Sequence, residues 1–201
     1  MDVAQYSLLI ANVFVILLHD STASRESAFI GYSELKGKGC VLTTSYGQVR
    51  IEFLPHLAPE TVAAVHDLAS ASRECQGCKF YRNEAAPTRG SLGPPYGLLQ
   101  GSLQSLKLAP AAEGKTPAKR GQVCMIPGTK EFFIALVDHD EWGGAHTVWG
   151  EVSAADMDTT VMDIVGQRFH AVTHPEYGTV MRMLNTEVPF RIALTGYSGA
   201  F

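Results

Sequence analysis

No part of this chain concentrates positive charge. Sixteen Lys and Arg stand against twenty Asp and Glu, a net charge of −4, and the basic residues are scattered apart from Lys115, Lys119 and Arg120. A phosphate track needs a basic stripe or patch, so nucleic acid is not an expected partner. Long apolar runs are equally scarce. The most apolar stretch, SLLIANVFVILL from Ser7 to Leu18, falls short of the roughly 18 residues that read as a membrane-spanning helix. Paired cysteine motifs are nearly absent too. Cys75 and Cys78 form one CQGC, with Cys40 and Cys124 far off and single. Without a second pair nearby, and with His170 and His174 too distant in sequence for a usual zinc finger, no metal site is expected. A thioredoxin-like role would need a βαβ context that the chain lacks. There is no internal repeat and no low-complexity tract.

What is present is the composition of a folded domain. With 46% hydrophobic and 18% charged residues over 201 positions, the chain can bury one sizeable core and is short for two. The apolar run at the N-terminus is followed by HDSTAS, where Ser21 and Ala23 are spaced as a signal peptidase would need. Residues 1–23 therefore read as a signal peptide or membrane-anchoring segment, which would place the protein in the secretory lumen or at a membrane. The acidic Asp2 and the lack of Lys or Arg before Arg25 fit the other reading, an apolar strand or helix of a cytoplasmic protein. Residues 24–39 read as a linker and 40–201 as the domain. In an oxidising compartment the candidate disulfides are Cys75–Cys78, or Cys40 with one of them; Cys124, in an apolar strand, reads as a buried thiol.

Within the domain, VLTTSYGQVRIEFL (Val41 to Leu54) has Val49, Ile51 and Phe53 alternating with Arg50 and Glu52, the period of a hairpin with one face buried. LAPETVAAVHDLASAS then changes period. Pro59 suits the first turn of a helix, Glu60 suits its positive end, and Val62, Val65, Leu68 and Ala69 share a face. Strand-like runs follow at KFYRNE, GLLQGSL, QVCMIP, EFFIALVD and TVWGEVS, with a Gly- and Pro-rich loop from Ala85 to Tyr96. A second helix is expected at DMDTTVMDIVGQ, with Met157, Val161, Ile164 and Val165 on one face, and GTVMRMLNTEVPFRIALTG returns to strand. Short strands with turns between them point to a barrel or sandwich.

The segments GQVRIEFLPHLAPETVAAV, KFYRNE, GLLQG, GQVCMIP, EFFIAL and HTVWGEV…MDTTVMDIVGQ, in that order over Val41 to Leu194, resemble the cyclophilin-type peptidyl-prolyl cis-trans isomerases. The resemblance implies a mainly β fold, a closed eight-stranded antiparallel barrel capped by two α-helices. It also implies a groove on the outer wall that takes an X-Pro peptide, with no metal and no organic cofactor. Matched by position, Arg82 falls on the family's catalytic arginine and Gln100 on its polar partner. Phe133 matches the floor of the proline pocket, Leu98 its lining, His146 its rim and Trp142 its tryptophan.

The sequence departs from the family at Gly97, where the family has Phe. It departs also at Glu131 in place of Gln, at the short loop Ile126–Lys130, and at Gly143 and Gly144 in the rim. Tyr96 and Trp149 are the aromatics available to fill the gap left at Gly97, and restoring a Phe there is expected to strengthen peptide binding. Arg82 could instead be a surface residue paired with Glu131 or Glu84. Two functions follow: an isomerase of reduced activity acting on X-Pro bonds of client proteins and assisting their folding, or a catalytically degenerate peptide-binding or assembly module, itself a subunit of something larger.

Overall fold

The computed structural model describes residues 35, 38–71, 75–85, 95–176 and 178–195. The segment read as a signal or anchor, nearly all of the linker, and most of the loop from Ala85 to Tyr96 lie outside these residues. The compact unit that carries the strands begins at Leu35. No described helix is long and apolar enough to cross a membrane.

The first two strands, β1 (Gly39–Thr44) and β2 (Gly47–Phe53), form the expected hairpin, in register from Gly39↔Glu52 to Thr44↔Gly47. Val49, Ile51 and Phe53 are buried while Arg50 and Glu52 face out, the period of two that the sequence displays. Helix α1 (Pro59–Ser70) has Pro at its start and buries Thr61, Val62, Val65 and Ala69. Its first-turn N–H groups are not capped locally. The Glu113 carboxylate accepts from Glu60 N (3.0 Å), Thr61 N (2.8 Å) and Thr61 Oγ1 (2.7 Å). An anion at the positive end of the helix satisfies otherwise orphaned donors, and it arrives from more than 50 residues downstream.

Six further strands run as read: β3 (Lys79–Glu84), β4 (Leu98–Ser102), β5 (Gln122–Met125), β6 (Glu131–Ala135), β7 (Thr147–Val152) and, after the second helical region, β9 (Val180–Pro189). That region comprises α2 (Ala154–Asp156), a π-helical turn (Met157–Val161) and α3 (Met162–Val165), with Met157, Val161 and Ile164 buried. Ser153 caps it, its Oγ accepting from Asp156 N. Asp156 is tied to β2 by accepting from Arg50 N (2.8 Å) and Arg50 Nη1 (2.9 Å).

The expected closed eight-stranded barrel is corrected by the topology. All strands join one antiparallel sheet of ten, in the order β10-β1-β2-β7-β5-β6-β4-β3-β9-β8, where β8 is Phe169–Thr173 and β10 is Arg191–Leu194. Its hydrogen-bonded ladder is open, and the reason lies at Pro189–Phe190. Up to Pro189 the chain pairs with β3 (Phe80↔Val188, Lys79↔Pro189), and from Arg191 it pairs with β1 (Thr43↔Arg191). Pro189 has no N–H to extend a ladder, and Phe190 N donates to Cys78 O at 3.1 Å. The two flanks of the sheet are thus joined by the covalent chain at a corner, and β8 adds a further strand outside it.

Phe132 sits inside the sheet against Phe80 (5.6 Å between ring centroids), Phe190 (6.0 Å) and Trp149 (6.4 Å), within the large cluster that α1 and the second helical region also join. Phe133, its neighbour, belongs to a second apolar cluster with Leu98, Ala118, Cys124, Ala135 and Val148. Successive strand residues face opposite sides, so β6 divides the inner core from an outer apolar wall.

Candidate functional site

The outer wall is built on a row of register partners. Arg82 on β3 lies opposite Gln100 on β4, Gln100 opposite Phe133 on β6, Phe133 opposite Cys124 on β5, and Cys124 opposite Val148 on β7. Strands are spaced by about 4.8 Å, so the Arg82 and Phe133 backbones stand about 10 Å apart. An arginine side chain spans much of that distance.

A bulge brings Arg82 to this face. Phe80 points into the core, and strict alternation would send Arg82 there too. Between Phe80↔Gly101 and Arg82↔Gln100, however, the register shifts by one residue at Tyr81, and the parity flips. The inner side of the same spot admits only glycine, because a Cβ on Gly101 would lie 2.7 Å from Lys79 O and 3.0 Å from the Phe132 ring.

Four of the expected groove residues meet as aromatic and apolar contacts. Phe133 stands nearly perpendicular to Trp142 (5.6 Å, 87°) and to His146 (5.0 Å, 88°), Trp142 and His146 lie 5.1 Å apart, and Leu98 packs in the same cluster. Arg82 and Gln100, the expected polar pair, are joined by a hydrogen bond from Arg82 Nη1 to Gln100 Oε1 at 3.1 Å. Burial, and secondarily the charge of His139, holds the His146 pKa below the ordinary 6.5. The rim is therefore a neutral imidazole at pH 7. The unfolded chain binds this proton more readily than the fold, so His146 contributes stability that is complete above about pH 6.5 and is lost as the pH falls toward its folded-state value. NMR titration of the His146 ring should give a midpoint below 6.5; a midpoint at or above it would contradict the burial argument.

The sequence leaves Gly97 where a Phe is expected, and beside it the structure places Tyr96. The Tyr96 ring packs against the outer cluster, lies 6.2 Å from Trp142, and has the Arg82 guanidinium carbon 5.8 Å from its centroid. Trp149, the other aromatic considered, is in the inner core at 1% exposure and cannot serve. Gly97 itself has φ +62°, a left-handed conformation that side chains with a Cβ adopt at a cost of about 1–2 kcal/mol. The expectation that a Phe there would improve binding is accordingly reversed. Gly97→Phe should destabilise the fold by about that amount and leave proline-peptide affinity no better than wild type, as calorimetry would read; a tighter complex would mean that Tyr96 does not occupy the wall.

Three further residues complete the site. His139, 2% exposed, stacks flat on Trp142 (3.7 Å, 3°), with Nδ1 2.9 Å from Glu141 Oε1 and Nε2 3.4 Å from Gly97 O. It fastens the rim turn (Asp140–Trp142) to the start of β4. Glu84, 0% exposed, accepts from Arg82 Nε at 3.0 Å, so of the ion pairs considered for Arg82 it is the one with Glu84 that forms. Tyr81 receives a hydrogen bond from Gln100 Nε2, and its phenol pKa is pushed up by burial and then by the nearby Glu131 carboxylate. None of these carries a sequence signal of its own. The bulge that aligns Tyr81 and the hydrogen bonds of Glu84 exist only once the strands pair.

Cys75 and Cys78 are joined in a disulfide between α1 and β3, away from the groove; Cys40 and Cys124 are free, buried thiols whose pKa burial raises far above the ordinary value. Among the described residues no three metal-ligating side chains converge.

No family model matches the sequence, and no curated protein matches it. Solved structures do match the fold. A cyclophilin-type peptidyl-prolyl cis-trans isomerase of Cryptosporidium parvum superposes with a TM-score of 0.52 at 15% identity, covering 78% of this chain and 96% of its own. The same isomerase crystallised in the presence of the dipeptide Ala-Pro gives 0.50 at 14% identity, over 77% of this chain and 97% of that one. The chain thus has a cyclophilin-like fold, mainly β, with one antiparallel sheet and two helical regions.

Proposed function

We propose that the protein is a peptidyl-prolyl cis-trans isomerase that grips a prolyl ring on the outer wall. The observation that carries this reading is the row Arg82–Gln100–Phe133 across adjacent strands, with Trp142, His146, Leu98 and Tyr96 around its apolar end. Isomerisation makes and breaks no bond. Its barrier of roughly 20 kcal/mol is the loss of amide resonance, so a catalyst need only bind the twisted amide better than the planar one. Phe133, Trp142 and His146 would hold the pyrrolidine in an apolar pocket. Arg82 has five N–H donors; with Nε on Glu84 and one Nη1 hydrogen on Gln100, three remain for the substrate carbonyl and for the prolyl nitrogen as it pyramidalises. A preorganised donor of this kind contributes about 10²- to 10³-fold.

A second reading, a groove that binds without catalysing, rests on the turn after β5. Ile126 N donates to Glu131 O (2.9 Å), and Ile126 O accepts from Thr129 N (3.2 Å) and Thr129 Oγ1 (2.8 Å). The backbone of Ile126 is spent on the turn and offers no edge to a peptide. NMR exchange spectroscopy on an Ala-Pro-containing peptide, free of coupling protease, separates the two: the isomerase accelerates cis/trans exchange in proportion to its concentration, and a binding module broadens peptide signals without acceleration.

A further inference from the structure

We infer that Glu84 is the positioning residue of this site, the group that fixes the plane of the Arg82 guanidinium; the inference rests on the isomerase reading above. Glu84 is on β3 two residues beyond Arg82, wholly buried, and its Oε1 accepts from Arg82 Nε (3.0 Å) and from the backbone N of Arg182 on β9 (3.0 Å). The carboxylate is therefore not free to follow Arg82. It is pinned to the neighbouring strand, and the arginine must come to it. On the opposite side Gln100 takes Nη1, and Gln100 is itself held by Tyr81. A planar guanidinium bonded at Nε from one side and at Nη1 from the other has its plane fixed. The Arg82 side chain keeps 14% of its surface exposed, with its guanidinium carbon 5.8 Å from the centroid of the Tyr96 ring.

Holding the donor plane in place acts in the transition state, because an oriented group needs no reorganisation as charge develops. Reach and acceptor geometry at Glu84 then matter more than its charge. That order separates positioning from a structural ion pair. A structural pair needs the charge, so E84D would be mild and E84Q severe. Positioning reverses the two: E84Q keeps an Oε1 that accepts from both N–H groups, whereas E84D withdraws the acceptor by one methylene from a strand that cannot follow.

The test compares wild type, E84Q and E84D for kcat and KM by NMR exchange on an Ala-Pro peptide, for the Arg82 Nε–H resonance in 15N-labelled protein, and for Tm. The expected result is E84Q within about threefold of wild type and E84D down by about 10² in kcat with KM little changed. The Arg82 Nε–H signal should be sharp and slowly exchanging in wild type and E84Q and broadened in E84D, with all three melting cooperatively. E84D with wild-type kcat, or E84Q worse than E84D, overturns the inference while leaving the isomerase reading intact. A wild-type protein that gives no acceleration sinks that reading, and this inference with it, and is recognised by the silence of the unmutated chain.

Discussion

Arg82→Lys should lower kcat/KM on an X-Pro peptide by about 10²-fold while the protein keeps a cooperative melt. Lysine retains a positive charge beside Glu84 but offers a single compact ammonium, which cannot engage Glu84, reach Gln100 and still present oriented donors to the groove. Losing a preorganised donor in a water-poor site costs 10² to 10³. Arg82→Ala is the poorer experiment, because Glu84 is 0% exposed and a buried carboxylate stripped of its partner costs about 3–5 kcal/mol in stability. Activity lost in that variant would be confounded with unfolding. Exchange spectroscopy paired with thermal denaturation reads both quantities, and an Arg82→Lys protein as active as wild type would remove the arginine from the mechanism.

The second large effect separates the adjacent phenylalanines of β6. Phe132→Ala should cost about 3–5 kcal/mol of folding stability, because its ring meets Phe80, Phe190 and Trp149 in a core that cannot collapse around the loss. Phe133→Leu keeps most of the volume in the outer cluster. It should cost far less stability and yet weaken proline-peptide binding by about two- to tenfold, as the pocket loses aromatic contacts worth about 0.5–1.5 kcal/mol. Urea denaturation and a peptide titration on both variants check this. Equal losses of stability with no difference in binding would mean that the two clusters are one core.

How much of this was legible beforehand differs by element, for physical reasons. The β1–β2 hairpin and the buried face of α1 were readable because period 2 and period 3.6 are local properties of the chain. Cap chemistry that crosses the fold, such as Glu113 on the first turn of α1, is not local and leaves no trace in the helix's own sequence. The candidate residues Arg82, Gln100, Leu98, Phe133, Trp142 and His146 were named through the resemblance. What positions them was not. The one-residue bulge at Tyr81 decides which way Arg82 points, and a bulge is a property of two strands in register. Gly97 shows the same limit from the other side: read as a missing wall, it is a left-handed corner, and the preceding Tyr96 packs its ring against the outer cluster near Trp142. The closed barrel failed as an expectation because the break at Pro189–Phe190 redirects one continuous stretch from β3 to β1.

On the proposed reading the outer wall, and no other face, takes a prolyl residue. The most direct measurement is a titration of 15N- and 13C-aromatic-labelled protein with an Ala-Pro-containing tetrapeptide, followed by chemical shift. Saturable shifts are expected at the Phe133, Trp142, His146 and Tyr96 rings and at Arg82 Nε–H, with the groove between α1 and Ser105–Ala111 unmoved. Shifts confined to that groove, or none at concentrations where a cyclophilin-fold isomerase saturates, would contradict it.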